Sequence, residues 1–347
     1  MYKKIFMSIA AVAALTLVSC SSDDLNSLSG TPSKNEAISF DSYLGRSAVS
    51  VNGSRGSELD MDALKKPEEG FGVFGNYSST DGEAYGFNLF DNQKVTYSST
   101  NDKWEYTPVK YWSPQGHIDF LAYAPRVDGT TLNGSSIEFT VADNAAKQKD
   151  LLWANATNQT MANNSGTDKK VKFKFAHALS RLGYTVKTSL TGTSTTITLK
   201  KITLAGSADG TTKAFYTNGT IDLSKTSSTG LWKTSDTKQN FVWLSTDKTL
   251  DSDTKNYSET EYLFVIPQDF SKTEENADAL YVIVEYTINY GDGTTVTNTV
   301  SSQLKQNFEQ GKAYTFNLTL GLTPIEFDVT TVEGWTDINQ GEINSWN

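Results

Sequence analysis

The strongest constraint on what this chain can fold into is a hydrophobic pattern with a period of two. Val171, Phe173 and Phe175 alternate with Lys170, Lys172 and Lys174, so an extended backbone carries apolar groups on one face and ammonium groups on the other. Such a segment is a half-buried strand. Leu280, Val282, Val284, Tyr286, Ile288 and Tyr290 share one face, and Gly291-Asp292-Gly293 makes a turn before Val296 and Val300 resume the pattern. That arrangement predicts a hairpin. Ile197 and Leu199 share a phase that Ile202 and Leu204 break, which places a bulge or bend at Lys200-Lys201. Similar runs occur at Tyr262, Phe264 and Ile266 and at Tyr314, Phe316, Leu318 and Leu320.

Helical patterning is confined to Glu58 to Lys66, ended by Pro67, and Asn144 to Leu152. The chain therefore reads as all-β. Short strands, frequent turn signals, only 7 prolines and no fixed repeat point to sandwiches rather than a propeller or solenoid. At roughly 100 to 200 residues per domain, 347 residues hold about two. The best boundary lies near Ala176, because Asn155 to Lys170 is polar and the strand grammar restarts around Gly183. The expected units are 36–176 and 177–347.

Composition narrows the function classes. With 37% hydrophobic and 12% aromatic residues the chain can build a core, unlike a disordered segment. Its 40 acidic against 30 basic residues give a net charge of -10, and no cationic stripe is visible. A nucleic-acid partner is thereby excluded. Two histidines and one cysteine leave no material for a zinc-cysteine site, a His-rich metal site or an internal disulfide. No cofactor is expected.

The lone cysteine is explained by its position. Lys3 and Lys4 precede an apolar stretch from Ile5 to Val18 that is too short for a ~30 Å hydrocarbon core, so residues 1–19 read as a signal peptide. Leu17-Val18-Ser19-Cys20 resembles the lipobox of bacterial lipoproteins, which implies cleavage between Ser19 and Cys20 and acylation of the Cys20 thiol. Two or three acyl chains anchor a protein stably. Ser21-Ser22-Asp23-Asp24 resembles the signal that sends some lipoproteins to the outer face of the outer membrane, and 20–35 is also a solvated linker.

Residues that could carry chemistry are few. His117 opens a strand after Pro114-Gln115-Gly116 and His177 interrupts one just before Leu179 and Leu182, so both read as structural rather than as members of a nucleophilic triad. Asp251-Ser252-Asp253 begins like a calcium loop, but Lys255 and Tyr262 stand where oxygen ligands are needed. Trp104-Glu105-Tyr106 and Tyr111-Trp112 form either a sugar-stacking platform or part of a core. No carboxylate pair is singled out for glycoside hydrolysis. The chain is not expected to be an enzyme.

An ordered set of short motifs spans nearly the whole chain. After Cys20 come Ile38-Ser39-Phe40, Gly45-Arg46, Phe71-Gly72-Val73-Phe74, Trp112-Ser113, Phe120-Leu121-Ala122-Tyr123-Ala124-Pro125, Asp150-Leu151-Leu152 and Phe175-Ala176-His177-Ala178-Leu179-Ser180-Arg181-Leu182. Val265-Ile266-Pro267-Gln268, Gly311-Lys312-Ala313-Tyr314 and Val332-Glu333-Gly334-Trp335 complete it. The set resembles the fimbrillin family, the type V pilus subunits of Bacteroidetes. The resemblance implies two transthyretin-like β-sandwich domains and a surface lipoprotein precursor anchored in the outer membrane. It also implies a trypsin-like protease that removes the first strand, and replacement of that strand by one from another fimbrial subunit. The implied role is adhesion and biofilm formation through a host or bacterial surface receptor.

Two segments carry that expectation. Arg46, followed by Ser47, lies past the apolar strand Ala37 to Leu44 and is flanked by small residues suited to an accessible loop, with Arg55-Gly56 as the alternative bond. At the C-terminus Pro324 starts a new strand in which Ile325, Phe327 and Val329 alternate with Glu326, Asp328 and Thr330. Burying three such side chains is worth roughly 5 to 9 kcal/mol before ordering costs, enough for a durable contact with an open sheet edge. The strand at about 324–335 is either donated to another subunit or completes its own domain. The competing function is a surface glycan-binding lipoprotein built on the Trp104, Tyr106 and Trp112 aromatics.

Overall fold

The alternating segment ending at His177 is a strand in which Val171, Phe173 and Phe175 are buried while Lys172 and Lys174 are exposed. The structure is a computed structural model that describes residues 36–44, 59–79, 87–164, 170–188, 194–244, 246–250, 256–258, 262–274, 277–321 and 326–333.

In chain order the first strands are β1 (Phe40–Leu44), β2 (Phe71–Ser78), β3 (Phe87–Ser98), β4 (Lys103–Glu105), β5 (His117–Ala124), β6 (Ser136–Thr140), β7 (Leu152–Gln159) and β8 (Val171–His177). Seven of them form one sheet in the order β1-β8-β7-β5-β2-β3-β4. Its pairs are antiparallel except β1 with β8, which is parallel. The sheet curls until β1 lies beside β4. Inside the curl sits an aromatic core that includes Phe40, Phe71, Phe90, Trp104, Trp112, Phe120, Phe173 and Phe175.

The chain continues through β9 (Ser180–Thr188), β10 (Thr196–Ala205), β11 (Phe215–Tyr216), β12 (Asn218–Asp222), β13 (Trp232–Thr234), β14 (Lys238–Gln239), β15 (Phe241–Leu244) and β16 (Lys248–Leu250). It ends with β17 (Asn256–Ser258), β18 (Leu263–Val265), β19 (Gln268–Asp269), β20 (Leu280–Asn289), β21 (Thr295–Leu304), β22 (Asn307–Phe308), β23 (Lys312–Leu320) and β24 (Glu326–Glu333). Two sheets face each other here. One runs β15-β10-β20-β21 with β16 also on β10; the other runs β17-β9-β23-β24 with β18 also on β9. Leu182, Tyr184 and Val186 of β9 share a core with Ile197 and Leu199 of β10, Val282 and Val284 of β20, and Phe316 and Leu318 of β23. Trp243 joins the layers, with its ring 4.8 Å from Tyr184 and 5.5 Å from Phe316. This is a β-sandwich.

Local chemistry explains the elements. Opposite β20 the register of β10 shifts between Leu199 and Lys201. The extra residue there lets Ile197, Leu199, Ile202 and Leu204 all be buried although their sequence phase breaks. The β20–β21 hairpin closes with Tyr290 N–H donating to the Thr294 carbonyl at 2.8 Å, and Gly293 takes φ +89°, which a side chain would resist.

Helices are shorter than the patterning predicts. Glu58 to Lys66 contracts to α1 (Met61–Leu64), capped by Asp60, whose carboxylate accepts from Ala63 N at 2.6 Å. Asn144 to Leu152 is not a helix but a single 3-10 turn, Ala145–Lys147, after the Asn144 cap. The Gln148 side chain accepts from Phe264 N at 2.7 Å and donates to the Ala142 carbonyl at 3.0 Å, and its backbone leaves extended. These long-range bonds outcompete a second helical turn.

The stretch between β8 and β9 ties the sheets together. His177 Nδ1 lies 2.7 Å from the fully buried Asp150 carboxylate, which also accepts from Leu151 N at 2.7 Å. The Ala178 carbonyl accepts from Trp232 Nε1 at 2.8 Å, and the Leu179 carbonyl accepts from Gly311 N at 2.9 Å. β6 pairs antiparallel with β12, and Phe74, Leu121, Tyr123, Ile137 and Trp153 join the sandwich core.

Candidate functional site

The segment 36–44 closes the curled sheet and is held from both sides. Residues β1 lends to pairing align Phe40 with Val171, Ser42 with Phe173 and Leu44 with Phe175 along β8. Just upstream, Ile38 N–H donates to the Lys110 carbonyl at 2.9 Å, Trp112 N–H donates to the Glu36 carbonyl at 2.8 Å, and Ala37 bridges Tyr111. Ser39 lends its carbonyl to Val171 N at 2.8 Å. The Tyr106 hydroxyl donates to the Ile38 carbonyl at 2.8 Å, and burial pushes its pKa up to about 12.

Phe40 is the plug. Its ring stacks on Phe173 at 5.5 Å, meets Phe90 and Phe120 edge-on at 5.5 Å each, and tilts against Tyr106 at 5.4 Å. Phe40 and Ile38 are each 2% exposed. The alternation reverses outward, where Asp41 is aligned with Lys172 and the exposed Tyr43 with Lys174. A short edge strand thus carries a central part of an aromatic core. β1 supplies the backbone partners of β8 on this edge and a large ring for the cage.

The other expected residues are placed as follows. Ser19, Cys20, Arg46, Ser47, Arg55, Gly56 and Ile325 lie outside the described residues. Phe327 and Val329 lie in β24, which pairs antiparallel with β23 along its length, Phe327 opposite Leu318 and Val329 opposite Phe316. β24 is the terminal strand of that sheet. Trp104 and Trp112 are buried in the aromatic core, and Tyr106 packs on Phe40 and Phe90. The sugar-stacking platform is not assembled: the curled sheet turns Trp104 and Trp112 inward and half-buries Tyr106, and of the four rings only Tyr111 is exposed.

Sequence reasoning missed Tyr106 as the clasp of the first strand. Its partner lies 68 residues away, and no local pattern signals such a pairing. A polar cleft lined by Tyr216, Lys238, Asp269, Lys272, Glu274 and Asp278 gathers carboxylates. Hydrogen bonds from Ser271 hold Asp269 below the usual carboxylate range, and Asp278 accepts from Gln268 Nε2 at 2.8 Å and pairs with Lys238. Asp269 is thus tuned away from the raised pKa of a general acid.

Residues 62–335 match the family described as fimbrillin-like. This chain belongs to that family. The fimbrillin-like chain is 28% identical to fimbrium subunit Fim1C of Phocaeicola vulgatus, over 96% of this chain and 97% of that one. Its fold is similar to that of a fimbrial protein from Bacteroides vulgatus, with a TM-score of 0.65 at 22% identity, covering 87% of this chain and 100% of the other.

Proposed function

We propose that this fimbrillin-like chain is a structural subunit of surface fimbriae that polymerises by exchanging β1 for a strand of another subunit, and so serves adhesion and biofilm formation. The observation that carries the reading is the position of β1: among the described residues an edge strand paired only to β8 within its sheet, whose Phe40 plugs the aromatic cage. A cut after Arg46, or after Arg55, by a trypsin-like protease leaves β1 attached by non-covalent contacts alone.

In this reading the precursor is held at the outer membrane through acylated Cys20, and the chain divides into two units near Ala176. β24 is the donor. Its pairing with β23 describes the subunit before assembly, and donation requires β24 to leave that edge. Main-chain pairing then supplies affinity and the alternate side chains supply fit. The glycan-binding reading loses its support with the burial of Trp104 and Trp112.

The test is a double substitution, Arg46→Ala with Arg55→Ala, in cells otherwise lacking the chain. We expect a surface-retained, uncut precursor and no fibres by electron microscopy. Fibres of normal length from the double variant overturn the proposal.

A further inference from the structure

We infer that the outer edge of β21 is a self-pairing surface: two copies of this chain join β21 against β21, antiparallel, about a two-fold axis at Thr299. The strand has features that sheet edges are normally spared. Thr295–Leu304 runs for 10 residues without a charge, a proline or a glycine, and its pairing with β20 continues along that whole length with no shift of register. Among the described residues it pairs with β20 alone and ends its sheet. Long, regular, uncharged edges are templates for another strand, and folds ordinarily blunt them. This fold blunts the other terminal strands of its three larger sheets: β4, β15 and β17 are short, while β1 and β24 carry acids.

The hairpin sets which backbone groups of β21 point outward. Tyr290 N–H donates to the Thr294 carbonyl at 2.8 Å, so these two form a hydrogen-bonded pair. Such pairs recur at every second residue of an antiparallel ladder. Val296, Asn298, Val300, Ser302 and Leu304 therefore aim N–H and C=O at β20, and Thr295, Thr297, Thr299, Ser301 and Gln303 aim theirs away from it. The Thr287 and Thr297 hydroxyls meet at 3.0 Å, as side chains do across the closer pairs that exchange no backbone bonds. All five outward-aiming residues are exposed.

Charge and register choose the occupant. The chain carries a net charge of -10, so two copies repel over most of their surfaces and meet most easily along an uncharged strip. An axis at Thr299 opposes Thr295 to Gln303 and Thr297 to Ser301, which engages every outward-aiming residue of both strands. Moving the axis one residue earlier or later sets Gln303 or Thr295 beyond the end of the partner strand. The same alignment lays exposed Lys305 of each copy opposite Gly293 of the other, one residue from exposed Asp292. Opposite charges thus close both ends of the pair. The contact uses the same patch on both copies and ends at two. In fimbriae of this chain it ties two fibres side by side, through a surface separate from the first strand and the C-terminal strand.

The test uses the chain from residue 20 carrying Cys20→Ser, which has no other cysteine. No protease is added, so strand exchange plays no part in the outcome. Sedimentation should show a monomer–dimer equilibrium, and a monomer throughout the concentration series overturns the proposal. Thr299→Pro removes only an outward N–H and leaves the ladder to β20 intact. It should weaken dimerisation at least about tenfold, because the axis removes two hydrogen bonds at once. A dimer of undiminished strength in Thr299→Pro overturns β21 as the edge. Under oxidation Thr299→Cys should give a disulfide-linked dimer and no larger species, since the two copies of the residue face each other at about 5.5 Å. Thr297→Cys should give none, since its two copies lie roughly 13 Å apart along the strands. A linked dimer from Thr297→Cys alone overturns the Thr299 axis. Slow hydrogen exchange at the Thr297, Thr299 and Ser301 amides of a monomeric sample shows that a segment of the same chain covers the edge, and overturns the second copy as partner.

Discussion

The hydroxyl of Tyr106 donates to the carbonyl oxygen of Ile38 at 2.8 Å, and the same tyrosine ring lies 5.4 Å from Phe40. One side chain from beyond β4 thus holds both the backbone and the plug of the first strand. Tyr106→Phe keeps the ring and removes the bond. It should lower stability by about 0.5 to 1.5 kcal/mol in denaturant unfolding and hasten loss of the cut strand. An unchanged midpoint contradicts the clasp.

Alkaline pH should act on the same contact. The Tyr106 pKa rises from 10.0 to about 12 because burial disfavours the phenolate. A raised folded pKa gives stability that is fully present below pH 10 and is lost as pH climbs towards 12. We expect retention of the cut 36–44 strand to fall across that window in wild type, with a smaller fall in Tyr106→Phe. Equal profiles for the two proteins argue against it.

Phe40 and Tyr43 lie on opposite faces of one strand, the first buried and the second 49% exposed. Phe40→Ala should cost about 3 to 5 kcal/mol, as aromatic truncations in cores do. Tyr43→Ala should stay within about 0.5 kcal/mol, as surface changes do. Comparable losses from both, measured by urea unfolding, refute the assignment of faces.

The alternation Val171, Phe173, Phe175 made β8 legible, and the broken phase around Lys200-Lys201 made the bulge legible, because both depend only on neighbours in sequence. The Asn144 to Leu152 helix failed because Gln148 bonds to Phe264 and Asp150 to His177, partners that no local window contains. The cage around Phe40 was invisible for the same reason. Its walls come from β3, β5, β8 and the segment after β4, which only the curled sheet brings together.

Lipid anchoring is tested at Cys20. Cys20→Ala should abolish incorporation of labelled fatty acid and leave the precursor with its signal uncleaved. Labelling equal to wild type shows that the anchor lies elsewhere.

The central claim is that β1 is absent from the assembled fibre. N-terminal sequencing of the subunit recovered from purified fimbriae measures this directly. The account predicts a chain beginning at Ser47, or at Gly56 where the Arg55 bond is used; an assembled chain that still begins at Cys20 contradicts it.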